Sequence, residues 1–292
     1  MSQVIVTREI APLPKRADDV HKGDCGRIAV IGGRYDEVVM VGAPTLAANA
    51  AFRSGAGLVQ LLVPEPLRTA VAVLSPCATV RTLPCDASTL LEAVADFGAD
   101  VAIIGPGLGD SLEPAVVATF LKEFGGMIVV DADALNLLSL VPPFAIPQGK
   151  RVVLTPHPGE ARRLLSACGA AESLMTSSKA RQEAALALVR AYACVVVLKG
   201  RGTVVTDGAR AYVNETGNSG MATGGAGDVL TGVIAGLMGQ RLASLEAAIL
   251  AVYLHGLAGD FAAEEIGRCS MTADDLIDYL PEAFCEHETA EE

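Results

Sequence analysis

An α/β fold, with a mostly parallel sheet covered by helices on both faces, follows from three features of the sequence. Short runs rich in valine, isoleucine and leucine alternate with alanine-rich stretches along most of the chain. Clusters of glycine, proline and charged residues come directly after several apolar runs, where strand-to-helix turns need them. Beyond residue 226 the pattern changes to helix alone.

Taken in order, the apolar runs predict strands over residues 27–31, 58–63, 101–104, 127–131, 152–154, 195–198 and 203–206. The alanine-rich intervals predict helices over 44–53, 87–97, 112–124, 159–167 and 178–192. The pair Asp207-Gly208 is a strong turn signal, so the last strand opens a hairpin that ends at Tyr212-Val213. Helices over 226–238, 244–263 and 272–284 complete the chain. No linker, low-complexity tract or internal repeat interrupts the pattern, and one domain over residues 1–292 is expected, with a core of about 15–285. The acidic end, 286–292, is expected to be disordered.

Composition narrows the function. Of 292 residues, 34 are acidic and 22 basic, a net charge of −12 that opposes unspecific binding to nucleic acid or anionic membranes. Tryptophan is absent and aromatics are 4%, which leaves little for a base-stacking platform. No apolar run of membrane-spanning length and no secretory leader is expected. Seven cysteines at irregular spacing, without Cys-x-x-Cys, form neither a disulfide framework nor a zinc site; buried free thiols in a reducing cytoplasm are expected.

The most informative stretch runs from Asn218 through Gly224-Gly225-Ala226-Gly227-Asp228 into an apolar helix. A glycine-rich loop opening a helix binds anions through close backbone N–H groups and the positive end of the helix dipole. A carboxylate beside a phosphate repels it, so Asp228 serves binding poorly. It suits the removal of a proton from a hydroxyl that attacks a phosphoryl group. The alternative role is an ordinary N-terminal cap. Five further clusters, at 32–34, 105–109, 131–136, 155–160 and 199–203, follow predicted strands. In open α/β sheets this edge binds ligands, so the six segments describe the rim of one pocket.

Together, Lys22-Gly23-Asp24, Arg53-Ser54-Gly55-Ala56-Gly57-Leu58-Val59, Gly105-Pro106-Gly107-Leu108-Gly109, Asp131-Ala132-Asp133-Ala134-Leu135-Asn136, Thr155-Pro156-His157-Pro158-Gly159-Glu160 and the loop ending at Asp228 resemble the ADP/ATP-dependent NAD(P)H-hydrate dehydratases of the ribokinase-like superfamily. The resemblance covers about residues 15–285, and the segment around His157 separates it from sugar and vitamin kinases, which typically carry Asn there. It implies a three-layer αβα sandwich and a lyase that repairs hydrated NADH or NADPH. The C6 hydroxyl is phosphorylated at the expense of ADP or ATP, with Mg²⁺, and phosphate then leaves.

The resemblance also implies roles. Asp228 is the base. Gly225, Ala226 and Gly227 offer N–H groups to the transferring phosphoryl group. Lys199, Gly200, Arg201, Gly202 and Thr203 meet the nucleotide, and Ala43, Gly107, His157 and Asn136 meet the hydrated dinucleotide. Glu160 organises Mg²⁺ through water or serves only as a first-turn glutamate, and Asp131 serves the metal or caps a helix.

One departure is the run Val38–Val41, which resembles an insert beside Ala43 and reshapes the lid expected there. The stretch before Arg27 is far shorter than the ~50–200 residues of a typical domain, so the epimerase fused to some relatives is not expected. A homo-oligomer such as a tetramer, in the cytoplasm, is implied, with the helix at 244–263 either forming an interface or lying covered on the sheet. Two other readings stay open: a small-molecule kinase of the same superfamily, and a nucleotide-binding regulator without chemistry.

Overall fold

The computed structural model describes residues 4–170 and 177–289. Five apolar runs, β2 (Arg27–Ile31), β7 (Val101–Ile104), β8 (Met127–Val130), β9 (Arg151–Leu154) and β10 (Val195–Leu198), form the centre of the sheet. They pair in parallel, and β5 (Leu58–Val63) and β6 (Thr79–Thr82) continue the parallel array beyond β2. On the other side β11 (Val204–Thr206) and β12 (Arg210–Val213) form the expected hairpin, with Val204 opposite Val213 and Gly208 at φ 93° in the turn. β1 (Ile5–Val6) adds a parallel edge to β12, giving the ten-strand order β1-β12-β11-β10-β9-β8-β7-β2-β5-β6.

Period-two side-chain alternation builds two cores from one sheet. In β2, Ile28 and Val30 face the core beneath α1 (Gly42–Arg53), α8 (Ala226–Gly239), α9 (Ser244–Ile266) and α10 (Ala273–Thr289), whereas Ala29 and Ile31 face the other. That second core is closed by α3 (Ala87–Phe97), α4 (Pro114–Glu123), α5 (Ala132–Leu138), α6 (Pro158–Ala167) and α7 (Ser178–Tyr192). The three-layer expectation holds.

Several expectations change. The run at 38–41 is no plain loop: β3 (Arg34–Tyr35) and β4 (Val39–Met40) pair into a small flap with Val38, Val39 and Tyr35 exposed. The tail is helical rather than disordered through Thr289; residues 290–292 lie outside the described residues. Its inner face continues the packing surface of α10, where Ala283 and His287 are buried and His287 Nε2 lies 3.0 Å from the Ala11 carbonyl. Only Cys25 and Cys194 are buried; Cys77, Cys85, Cys269 and Cys285 are exposed, because they sit on outer helix faces or turns. By length and composition α9 could cross a membrane, contrary to the sequence reading, yet it is a core helix packed against α8 and α10. Its alanines therefore cover the sheet. The sequence also missed α2 (Arg68–Leu74), α5, β1 and β6.

Candidate active site

Because β2, β7, β8, β9 and β10 run parallel, the residues following them gather on one edge. Asp131, the residue after β8, lies at the middle of that edge and is 1% exposed. Its Oδ1 accepts from Lys199 Nζ at 2.5 Å and from the Thr155 hydroxyl at 2.8 Å, and its Oδ2 accepts from the Thr231 hydroxyl at 2.9 Å. These partners follow β10, follow β9 and belong to α8, so one carboxylate ties three elements together. It does not cap α5 through its side chain. Lys199 is thus a paired, largely buried cation and no solvated strand-end lysine. Burial opposes its charge, but Asp131, Glu160 and Asp228 outweigh burial and hold its pKa above the ordinary value.

The glycine loop delivers α8 to this cation. Gly225, at φ 93°, is the N-cap of α8, and a side chain there would meet Leu46 and Ala273, so only glycine fits the turn. A Cβ at Gly227 would lie 3.1 Å from Lys199 Nζ, which puts the α8 amino end directly beside the ammonium. Asp228 is the third residue of the helix, so it is not the cap. Among the described residues no hydrogen bond reaches its half-buried carboxylate. Burial first, then the neighbouring Asp131 charge, pushes Asp228 up to about 7 against the opposing pull of Lys199.

Glu160 responds to the same field, and burial pushes it up to about 7 as well. It closes a capping box at the start of α6. Its Oε2 accepts the His157 backbone N–H at 2.7 Å, its Oε1 lies 3.2 Å from His157 Nε2, and His157 Nδ1 accepts the Gly159 N–H at 2.9 Å. Both ring nitrogens of His157 are therefore turned onto their own helix. Burial, then the nearby Lys199 and Arg163 charges, lowers the imidazole pKa below its ordinary value and so favours the neutral ring.

At the opposite side of the rim, a Cβ on Gly107 would meet Ala43 and Met40, each at 3.1 Å, so the β3–β4 flap, α1 and the turn after β7 converge. Asp133 Oδ2 accepts the Gly109 N–H at 2.8 Å, and Asn136 spans Asp133 and Arg163. The 199–203 turn is stapled from behind by a residue the sequence reading missed. Arg181 of α7 donates to the carbonyls of Leu198 at 3.2 Å and Lys199 at 3.0 Å, and also to Arg201. Thr155 and Thr231 were missed as partners of Asp131, since they lie 24 and 100 residues away from it along the chain. The signal for Arg181 is faint: a cationic side chain in the first turns of a helix beside the strand end.

Among the described residues no three His, Cys, Asp or Glu side chains converge to chelate a metal ion. Asp228 and Glu160 are hard oxygen donors within electrostatic reach of Lys199. That set fits Mg²⁺ held through water and phosphate oxygens better than an all-protein cage.

The family model for NAD(P)H-hydrate dehydratase matches residues 28–282. The chain is 43% identical over 284 residues to the bifunctional NAD(P)H-hydrate repair enzyme of Moorella thermoacetica, covering 92% of this chain and 51% of that protein. It spans about half the length of the curated relatives it matches. Among solved structures, the ADP/ATP-dependent NAD(P)H-hydrate dehydratase of Bacillus subtilis, co-crystallised with ATP and Mg²⁺, superposes with a TM-score of 0.79 at 30% identity, covering 95% of each chain. A ribokinase-like superfamily protein of Enterococcus faecalis gives 0.77 at 27% identity, over 94% of this chain and 92% of that one.

Proposed function

The chain belongs to the NAD(P)H-hydrate dehydratase family, and we propose from this premise that it dehydrates hydrated NADH or NADPH at the expense of ADP or ATP. One observation carries the reading. Asp228 is a half-buried carboxylate without a hydrogen bond from the described residues, in the first turn of α8, with its pKa raised to about 7. A base matched to neutral pH, placed beside an anion-binding helix start, suits removal of a hydroxyl proton during phosphoryl transfer.

In this reading the C6 hydroxyl oxygen attacks the terminal phosphoryl group. Asp228 takes the proton as the phosphoryl–oxygen bond to the nucleotide breaks. The N–H groups of Gly225, Ala226 and Gly227 receive the developing charge. Lys199, held by Asp131, offsets phosphate charge, while Gly200, Arg201, Gly202 and Thr203 line the nucleotide. Mg²⁺, when bound, supplies further neutralisation of the phosphates, with Glu160 holding its water ligands. Phosphate then departs with the C–O bonding electrons, and loss of the adjacent ring proton restores the double bond. Ala43, Gly107 and Asn136 border the dinucleotide. His157 joins them only by releasing the Gly159 N–H or Glu160. A single catalytic domain, a cytoplasmic location and a homo-oligomer belong to the same proposal; sedimentation tests the last.

The test follows dihydronicotinamide absorbance of hydrated NADH with purified protein, Mg²⁺ and either nucleotide. Nucleotide-dependent recovery is expected. A stable phosphorylated product without recovery would instead mark a small-molecule kinase.

A further inference from the structure

The loop that ends at Asp228 is held from its far side by α9, in a stretch the proposed chemistry does not use. Gly217 N–H donates to Asp260 Oδ2 at 2.8 Å, and Asn218 Nδ2 donates to Asp260 Oδ1 at 3.0 Å and to the Gly259 carbonyl at 2.7 Å. Asn218 Oδ1 in turn accepts the Gly220 N–H at 2.8 Å, and the Thr216 hydroxyl donates to the Tyr253 carbonyl at 2.9 Å. The contact is too close for side chains: a Cβ on Gly256 would lie 2.2 Å from Thr216 Oγ1, and one on Gly259 would lie 2.4 Å from the Met221 sulfur. The imidazole of His255, buried one position earlier, interacts with the backbone of Ala226 at the loop's other end. The stretch 255–260 of α9 is thus a seat that grips the loop where it begins and where it enters α8.

We infer that Asp260 is a positioning residue for phosphoryl transfer. It fixes the start of the glycine loop on α9 and so sets where the Gly225–Gly227 amides and Asp228 stand. The inference rests on the phosphoryl-transfer reading of Asp228. A carboxylate is the fitting group, because it accepts both loop N–H groups with charge assistance, whereas an amide oxygen satisfies one and turns an N–H toward the other. Small displacements of a reacting group cost rate steeply, so loosening the seat acts on turnover more than on nucleotide affinity.

The experiment compares wild type and Asp260→Asn by hydrogen–deuterium exchange, and by turnover of hydrated NADH with ATP and Mg²⁺. Residues 217–227 should exchange about tenfold faster or more in the variant, with β8 unchanged. kcat should fall roughly 10²-fold while the KM for ATP stays within about threefold. Unchanged exchange in the loop overturns the inference, and so does faster exchange with wild-type kcat. If the wild type itself does not turn over hydrated NADH, the substrate reading fails. The exchange comparison alone then decides the seat. If Asp260→Asn does not fold, Asn218→Ser removes the same contact from the loop side and is judged by the same outcomes.

Discussion

Asp131 and Asp228 are two carboxylates in one electrostatic neighbourhood, and they are treated in opposite ways. Asp131 is 1% exposed and accepts from Lys199, Thr155 and Thr231, so both of its oxygens are held by the protein. Asp228 is half-buried, accepts nothing from the described residues, and is raised to about 7, in part by the charge of Asp131. A satisfied carboxylate organises a fold. An unsatisfied one, held where water is scarce, is poised for a proton. The difference teaches that burial alone does not mark a catalytic acid or base; burial without partners, beside a helix amino end, does.

Replacing each member breaks the comparison differently. The largest effect is expected from Asp228→Asn, which should lower turnover by roughly 10²–10⁴-fold while calorimetry finds nucleotide binding retained. Retained turnover would show that another group takes the proton. Asp131→Leu should act on stability instead. It leaves the Lys199 charge largely buried without its counter-ion, and urea unfolding should show a loss of about 3–5 kcal/mol. A loss below about 1 kcal/mol would mean that water or Glu160 replaces the lost partner.

A third prediction concerns pH and sharpens the contrast. The folded pKa of Asp228 lies above its unfolded value of about 4. Its contribution to stability is therefore present below about 4 and is lost as pH rises through about 7. Asp228→Asn has no such loss, so thermal scans at pH 8 should show the variant more stable than wild type by a few °C, with no gain at acid pH. Equal midpoints at pH 8 would contradict the raised pKa. The smallest effect is expected at Arg181→Gln, which removes the staple behind the nucleotide turn. The KM for ATP should rise roughly 3–10-fold with kcat little changed, a shift that initial-rate kinetics resolves.

The same contrast explains what could be read in the sequence. Asp228 was legible because its neighbours along the chain, Gly224 through Gly227, already describe a helix start that binds anions. The rim was legible because parallel strands put their following residues on one edge, wherever those strands fall in the order. The role of Asp131 was not legible. Its partners come from β9, β10 and α8, and nothing local in Asp131-Ala132-Asp133 says that a lysine and two hydroxyls will meet it. His157 was read as a substrate contact from its motif, yet the folded chain first uses both of its nitrogens to close the start of α6. The strand β6 escaped because an edge strand with one polar face has no continuous apolar run. The helical end of α10 escaped because its inward face depends on packing with the amino-terminal arm and Tyr253.

The central claim is that Asp228 is the base, and Glu160 complicates a simple pH profile because it too is raised to about 7. The direct measurement is therefore the pH dependence of kcat/KM for hydrated NADH in wild type and in Asp228→Asn. The account predicts a rising limb centred near 7 in the wild type and its disappearance from the residual activity of the variant. A limb with the same midpoint in both proteins would contradict it, and would assign the titration to Glu160.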